Sequence, residues 1–281
     1  MTWLRTLGST GLRVSALGLG TVKLGRNQGV KIPAGVRLPD DNAAADLLAV
    51  DREQGINLLD TAPAYGHAEE RLGQLLSGQR RDWVICSKVG ETFEQGHSHF
   101  DFSPEHVRAS VQRSLRRLRT DRLDIVLVHS DGRDLEIIEH MGTLEALAQL
   151  KREGLLRAFG MSTKPVAGGL AAARCSDVVM LACNPRHLGE LPVLDACARL
   201  GRGALVKKIL DSGHLTLTAD HGDGEHLIEA SMKLVLGHAG TGAAIVGTCL
   251  LYTSPSPRDL GSNLVIRHLL EKWGGGGGGG G

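Results

Sequence analysis

Four side chains capable of acid–base chemistry stand at or just after the ends of short apolar runs. Asp60 ends the run NLLD, Lys88 ends WVICSK, and His129 ends IVLVH. Tyr65 follows Asp60 by five residues and is the one tyrosine before residue 249. In parallel-strand barrels the active site lies at the carboxyl ends of the strands, so residues in these positions are candidates for chemistry. Each has an ordinary structural explanation when taken singly, but together they predict one site.

The chemistry open to this set is protonation of an oxygen that becomes negative. A phenol has an ordinary pKa of about 10, and a nearby ammonium lowers that pKa by stabilising the phenolate. We expect Lys88 to act on Tyr65 in this way while Asp60 holds the lysine charged. His129 can donate a hydrogen bond to a substrate oxygen. The set suits reduction of a carbonyl by hydride, and because no side chain supplies a hydride, a redox cofactor is required.

Short apolar runs alternate along the chain with segments of helical periodicity, which is typical of repeated βα units. The predicted strands are 16–20, 57–61, 83–88, 125–129, 158–162, 178–183, 203–207 and 243–248. The predicted helices are 41–55, 68–76, 104–119, 141–154, 191–200 and 224–237. The pattern favours an α/β protein with a single (β/α)8 TIM barrel. A doubly wound sheet is the alternative, but the GLG of residues 18–20 lacks the third glycine of the dinucleotide-binding fingerprint.

The two ends of the chain fall outside this alternation. Residues 3–7 and 12–17 flank the turn sequence GSTG and predict a β-hairpin that plugs the N-terminal mouth of the barrel. Residues 274–281 are all glycine, and residues 249–259 resemble the in-frame translation of a sequencing adaptor. We therefore expect a barrel domain over 1–248, an artefactual or unstructured tail over 249–281, and a last barrel helix that is missing or replaced. A natural loop, helix and linker is the alternative for the tail.

Composition excludes several classes of function. The chain has 281 residues, 42% of them hydrophobic, which is enough for a large core. Its 32 basic and 31 acidic residues give a net charge of +1, so we expect neither a nucleic-acid partner nor binding to an anionic membrane. No apolar run approaches the length of about 20 residues that spans a bilayer, and a cytoplasmic location is expected. The five cysteines form no CxxC pair, and no metal site is predicted.

Several stretches of the sequence resemble the aldo/keto reductase family. They are TGLRVSALGLGT at 10–21, NLLDTAPAYG at 57–66, CSK at 86–88 and DIVLVH at 124–129. The resemblance covers residues 4–248 and implies a (β/α)8 barrel that binds NADPH, less often NADH, and reduces an aldehyde or ketone to an alcohol. It also implies that Tyr65 is the general acid and that Asp60, Lys88 and His129 support it.

The resemblance also implies a set of cofactor contacts. GMST at 160–163 is similar to the family's Gly-x-Ser-Asn, and Lys207 stands where an aromatic residue commonly stacks on nicotinamide. We expect Lys207 and Lys208 to meet the pyrophosphate instead. The residues implied for cofactor binding are Gly20, Thr21, Asp60, Ser162, Asn184, Lys207, Lys208, Gly247 and Thr248.

Other functions remain open on sequence alone. The barrel also resembles potassium-channel beta subunits, so a cofactor-sensing regulatory or interaction module is the second hypothesis. A metal-dependent hydrolase is the third, but Asp60 and His129 alone are too few ligands. The small-molecule carbonyl substrate is not encoded in the loops that would bind it.

Overall fold

The computed structural model describes residues 4–29, 38–211 and 224–247. Thr248 and the predicted tail over 249–281 lie outside the described residues. So does the region after residue 247 in which a last barrel helix was expected to be missing or replaced.

A β-hairpin closes one end of the molecule, as the sequence predicted. Strands β1 (Leu4–Thr6) and β2 (Arg13–Ser15) pair antiparallel, with Arg5 opposite Val14. Leu7, Leu12 and Val14 are fully buried or nearly so, and they pack in one cluster with side chains from inside the barrel. Removing these apolar side chains from water stabilises the closed end.

Eight parallel strands form a closed barrel, which confirms the predicted fold. They are β3 (Leu17–Gly20), β4 (Leu58–Asp60), β5 (Val84–Val89), β8 (Leu123–His129), β9 (Leu156–Ser162), β10 (Val178–Ala182), β11 (Gly203–Lys207) and β12 (Ala243–Gly247). Each is apolar along nearly its whole length because one face points into the barrel and the other meets the helices. Every strand of the barrel overlaps a predicted one.

The helices that the structure describes surround the barrel. They are α1 (Val22–Gly25), α2 (Asp41–Glu53), α3 (Ala68–Leu75), α4 (Pro104–Arg117), α5 (Asp134–His140), α6 (Thr143–Arg152), α7 (Val166–Cys175), α8 (Leu191–Leu200) and α9 (Gly224–Gly237). Ser103 caps α4, since its side chain accepts a hydrogen bond from the backbone N–H of His106.

Helix α7 was not predicted from the sequence. Its segment VAGGLAAARC contains two adjacent glycines, which disfavour a helix on intrinsic propensity. The reason for a glycine lies in tertiary packing: a Cβ at Gly168 would stand 2.2 Å from the Cβ of Asp134 on α5. Close approach of two helices here requires a residue without a side chain, and local propensity does not report that requirement.

A second hairpin lies between the predicted strand 83–88 and the predicted helix 104–119, in a stretch with no predicted element. β6 (Glu91–Glu94) and β7 (His97–Phe100) pair antiparallel directly after β5. The turn residues Gln95 and Gly96 both have positive φ, 51° and 86°. That is the backbone of a type I′ turn, for which Gln-Gly is a weaker sequence signal than Asn-Gly or Asp-Gly.

Three expectations about absent features can be compared only with the described part of the chain. None of its helices is both long and apolar enough to cross a membrane. Its residues contain no group of three or more His, Cys, Asp or Glu side chains able to hold a metal ion. The cysteines it includes are free thiols, at positions 86, 175, 183 and 197.

One ionisable group is buried on the inner side of α2. Asp51 is 3% exposed, and its Oδ2 atom has no hydrogen-bond partner. Burial raises the pKa of Asp51 from 3.8 to about 7. The folded state therefore disfavours the carboxylate form. Because Asp51 ionises more easily in the unfolded chain, the free energy of unfolding falls as the pH rises from about 4 through 7.

We expect Asp51→Asn to stabilise the fold at pH 8 by about 1–4 kcal/mol, because it removes the cost of ionising a buried carboxyl. At pH 4 the gain should vanish, since Asp51 is already neutral in the folded state. Urea unfolding of the parent and variant at both pH values measures this. Asp46→Asn, at an exposed position of the same helix, is the matched control, and an equal gain in the control would contradict the assignment.

Candidate active site

Asp60, Lys88 and His129 lie at the carboxyl ends of three consecutive strands around the barrel. The order β4, β5, β8 makes them neighbours, and the register places Asp60 beside Cys86 and His129 beside Ser162. Since all barrel strands are parallel, these ends form one rim. The sequence-based placement of three ionisable groups on one rim is therefore correct.

Asp60 and Lys88 form a buried ion pair. The lysine Nζ lies 2.6 Å from Asp60 Oδ1 and donates a second hydrogen bond to the carbonyl of Thr61 at 2.9 Å. The two side chains are 6% and 2% exposed. Burial alone would lower the pKa of Lys88, but the Asp60 carboxylate, together with smaller contributions from Tyr65 and Cys86, raises this pKa well above its usual value. Lys88 is thus held as an ammonium at neutral pH, as expected.

Tyr65 is carried to this pair by the turn that joins β4 to α3. Its N–H donates to the carbonyl of Ala62, and its carbonyl accepts from the N–H of Ala68. Gly66 follows with φ of 61°, and a Cβ there would stand 2.2 Å from the carbonyl oxygen of Gly25. The chain can pass this close to α1 only with glycine at position 66.

The Tyr65 ring lies between the other candidate groups. Lys88 Nζ is 4.8 Å from the ring centroid, and the ring meets His129 edge to face at 6.2 Å and 87°. Asp60 and Lys88 are already in contact, so the structure brings all four predicted residues together.

The phenol is not as acidic as the sequence suggested. Enclosure by protein raises the pKa of Tyr65 to about 12. The Lys88 ammonium lowers this pKa, as expected, but the effect of burial is larger and the Asp60 carboxylate adds to the rise. The sequence identified Lys88 as a group that lowers the pKa of Tyr65, but it did not show that burial raises this pKa by more. The extent of burial depends on how the closed rim encloses the ring.

Sequence analysis missed Glu91, which contacts His129. Glu91 Oε2 lies 2.6 Å from His129 Nδ1, and Ser98 Oγ donates to Glu91 Oε1 at 2.6 Å. Burial would raise the pKa of Glu91, but the contacts with His129 and Ser98 lower it to about 2. Glu91 lies three residues beyond Lys88. The sequence signal that could have identified it is the turn at Gln95, because a hairpin centred there has Glu91 at its base.

Apart from Asp60, the described residues expected to bind a cofactor lie on the rest of the rim. Gly20 ends β3 and Gly247 ends β12, and the two are paired in register. Thr21 is tied to the site, since its N–H and its hydroxyl both donate to the carbonyl of Asp60 at 2.9 and 3.0 Å. Thr248 lies beyond the described residues.

Lys207 and Ser162 form a polar pair across β9 and β11. Lys207 Nζ donates to Ser162 Oγ at 2.7 Å. Burial, together with the positive charges of Lys208 and Lys88, lowers the pKa of Lys207 to about 8. The serine hydroxyl accepts in this contact, which leaves its own proton available to a ligand.

Asn184, which is predicted to bind the cofactor, contacts the backbone of the turn after β11. Its amide nitrogen donates to the carbonyl of Lys208 at 2.9 Å, and its Oδ1 accepts from the N–H of Arg186. Lys208 itself has φ of 57°. These contacts hold the turn after β11, and they engage both ends of the Asn184 amide with the backbone.

The fold and rim define a (β/α)8 barrel with its ionisable groups gathered at the carboxyl ends of the strands, as in barrel enzymes. The model of the Aldo/keto reductase family matches residues 16–231. The chain belongs to the aldo/keto reductase family, a family of oxidoreductases.

Relatives agree with this assignment. A crystal structure of a putative aldo-keto reductase from Pseudomonas aeruginosa is 50% identical, covers 95% of this chain and 96% of its own, and superposes with a TM-score of 0.80. L-galactose dehydrogenase of Arabidopsis thaliana is 38% identical over 58% of this chain and 49% of its own length. D-arabinose 1-dehydrogenase of Saccharomyces cerevisiae is 32% identical over 64% and 57%. The chain spans about half the length of the curated relatives it matches first.

The raised pKa of Tyr65 can be tested directly. In a Tyr252→Phe protein, Tyr65 is the only tyrosine. We expect little phenolate absorbance at pH 10 in the folded protein, because a group with a pKa of about 12 stays protonated there. The same protein in urea should be about half ionised at pH 10, since an exposed phenol has a pKa of about 10. Equal phenolate absorbance in the two states, with circular dichroism showing the first to be folded, would refute the assignment.

Proposed function

We propose that this protein is an NAD(P)H-dependent aldo/keto reductase that reversibly reduces a small aldehyde or ketone to an alcohol. The observation that carries the proposal is the contact of Tyr65 with both Lys88 and His129 above the buried Asp60–Lys88 ion pair. No simple packing requirement explains two buried charges and a phenol at one barrel rim. A buried ion pair is costly unless it is well satisfied, and it adds little to stability over apolar residues.

Tyr65 is the proposed general acid. With a pKa of about 12 its phenol is protonated at neutral pH, so it is available as a donor. As a carbonyl oxygen becomes negative, the phenol delivers its proton to that oxygen and becomes a phenolate. The Lys88 ammonium lies close enough to stabilise this phenolate, and Asp60 keeps Lys88 charged throughout. General acid catalysis of this kind contributes about 100- to 10,000-fold to a rate.

The polar rim supplies groups that suit a nicotinamide dinucleotide. Such a cofactor, when bound, supplies the hydride that the carbonyl carbon receives. Ser162 offers its free hydroxyl proton to a carboxamide oxygen, and Lys207 and Lys208 offer positive charge to phosphates. Gly20, Thr21, Asp60 and Gly247 line the adjoining strand ends, with Thr248 next in the chain. Asn184 is also proposed to bind the cofactor, beside the Lys208 turn that it contacts. NADPH is the proposed cofactor, with NADH as its competitor.

Other parts of the proposal concern the chain as a whole. We assign the catalytic barrel to residues 1–248 and no role to 249–281. We place the protein in the cytoplasm, acting on a small-molecule carbonyl substrate without nucleic-acid or membrane partners.

Two of the relatives carry the names of sugar dehydrogenases. Their names support a small hydroxylated substrate, which suits a rim that presents Glu91, His129 and Lys207.

We expect Tyr65→Phe to lower kcat for NADPH-dependent reduction of a nitrobenzaldehyde by at least about 100-fold, because the proton donor is removed. Cofactor binding, followed by fluorescence quenching, should persist. Tyr252→Phe is the matched control and should turn over like the parent. A Tyr65→Phe protein with parental kcat would sink the proposal. Cofactor binding without turnover by the parent itself would instead favour the regulatory module.

A further inference from the structure

The side-chain amine of Lys207 lies at the rim without a charged partner. Its Nζ donates to Ser162 Oγ at 2.7 Å and to the carbonyl of Thr163 at 3.4 Å, and both acceptors are neutral. Within the described part of the chain, no carboxylate forms an ion pair with this nitrogen. Lys88, by contrast, is paired with Asp60. The positive charge of Lys207 is therefore poorly compensated where it stands.

The charged groups around Lys207 favour its neutral form. Lys208 follows it in the chain, and Lys88 lies on a strand across the barrel. Glu190 and Asp60 oppose these two charges from a distance, but Asp60 is already paired with Lys88. Burial is the largest effect, and together with the two lysines it lowers the pKa of Lys207 to about 8. About one tenth of the side chain is then free amine at pH 7, against about 1 part in 2,500 for an ordinary lysine.

The amine of Lys207 is also open to a ligand. Lys207 ends β11, so it stands at the same rim as the Asp60–Lys88 pair, and its side chain is only half-buried. The Ser162 hydroxyl accepts from Nζ and keeps its own proton to donate to an oxygen of an arriving molecule. A desolvated amine beside another cation is the setting in which a lysine attacks carbonyl carbon.

We infer that Lys207 is a nucleophilic amine that condenses with small aldehydes to form an imine at the rim. The nitrogen lone pair bonds to the aldehyde carbon, the carbon–oxygen double bond becomes single, and a proton passes from nitrogen to oxygen. The nitrogen then forms its second bond to carbon as the hydroxyl leaves, and that hydroxyl takes the remaining amine hydrogen to become water. Nothing is oxidised or reduced, so this reaction is separate from hydride transfer.

The imine would also compete with a cofactor. Lys207 is one of the groups that the proposed function assigns to the cofactor phosphates, and an aldehyde bonded to its Nζ would occupy that place. This consequence rests on the proposed function, whereas the nucleophilic amine itself does not. An aldehyde should therefore modify the cofactor-free protein faster than the protein that has bound NADPH.

Selective trapping of the imine tests the inference without any turnover. The cofactor-free full chain is mixed with propanal at pH 7, and sodium cyanoborohydride converts the imine to a stable propyl amine. Peptide mass spectrometry then gives the initial rate at each lysine. We expect Lys207 to be modified at least about 10-fold faster than the exposed Lys208 and Lys164, because more of it is free amine. Equal rates at the three lysines would overturn the inference.

Two comparisons show whether the fold is the cause. In urea the rates at Lys207 and Lys208 should become equal, because the surroundings that favour the free amine are lost. Lys207→Arg keeps the charge and should abolish the fast modification, while the matched control Lys208→Arg should retain it at Lys207. Fast modification that persists elsewhere in a folded Lys207→Arg protein would contradict the inference. The site map of the parent decides the matter even where a variant fails to fold.

Addition of NADPH separates this inference from the proposed function. Slower modification of Lys207 in the presence of NADPH would support both the amine and its place at the cofactor. Selective modification that NADPH does not slow would support the nucleophilic amine and contradict the cofactor contact. Selective modification of a parent that reduces no aldehyde would support the amine and overturn the reductase.

Discussion

The buried ion pair of Asp60 and Lys88 is the constraint on which the rest of the site depends. Two charges held 2.6 Å apart with almost no solvent exposure are stable only where each has its partner and the remaining donors are satisfied. The carbonyl of Thr61 accepts a second hydrogen bond from Lys88. The pair also sets the electrostatics of its surroundings, since it influences the pKa values of Tyr65 and Lys207.

The barrel makes this pair possible by geometry. Asp60 and Lys88 lie on adjacent parallel strands, so the pairing of β4 with β5 brings their side chains together. The N-terminal hairpin fills the opposite mouth with Leu7, Leu12 and Val14. These side chains belong to an apolar cluster inside the barrel, and the Asp60–Lys88 pair lies at the end where the strands terminate.

Further polar contacts complete the rim around the ion pair. The hairpin of β6 and β7 brings Glu91 to His129, and Arg26 ties the same hairpin to the turn that carries Tyr65. Across the rim, Lys207 contacts Ser162. These polar contacts decide which protons and charges a ligand meets.

The amino-acid sequence by itself determined the strands, the closed barrel, the hairpin plug and the convergence of Asp60, Tyr65, Lys88 and His129. These follow from local apolar runs and from the rule that parallel strand ends share a rim. Helix α7 and the hairpin at Glu91 did not follow, because Gly168 is explained by a neighbouring helix and Gln95 is a weak turn signal. The pKa of Tyr65 was also beyond sequence reasoning. Only the tertiary structure decided it, because burial and charge oppose each other there, and their balance depends on how closely distant segments enclose the ring.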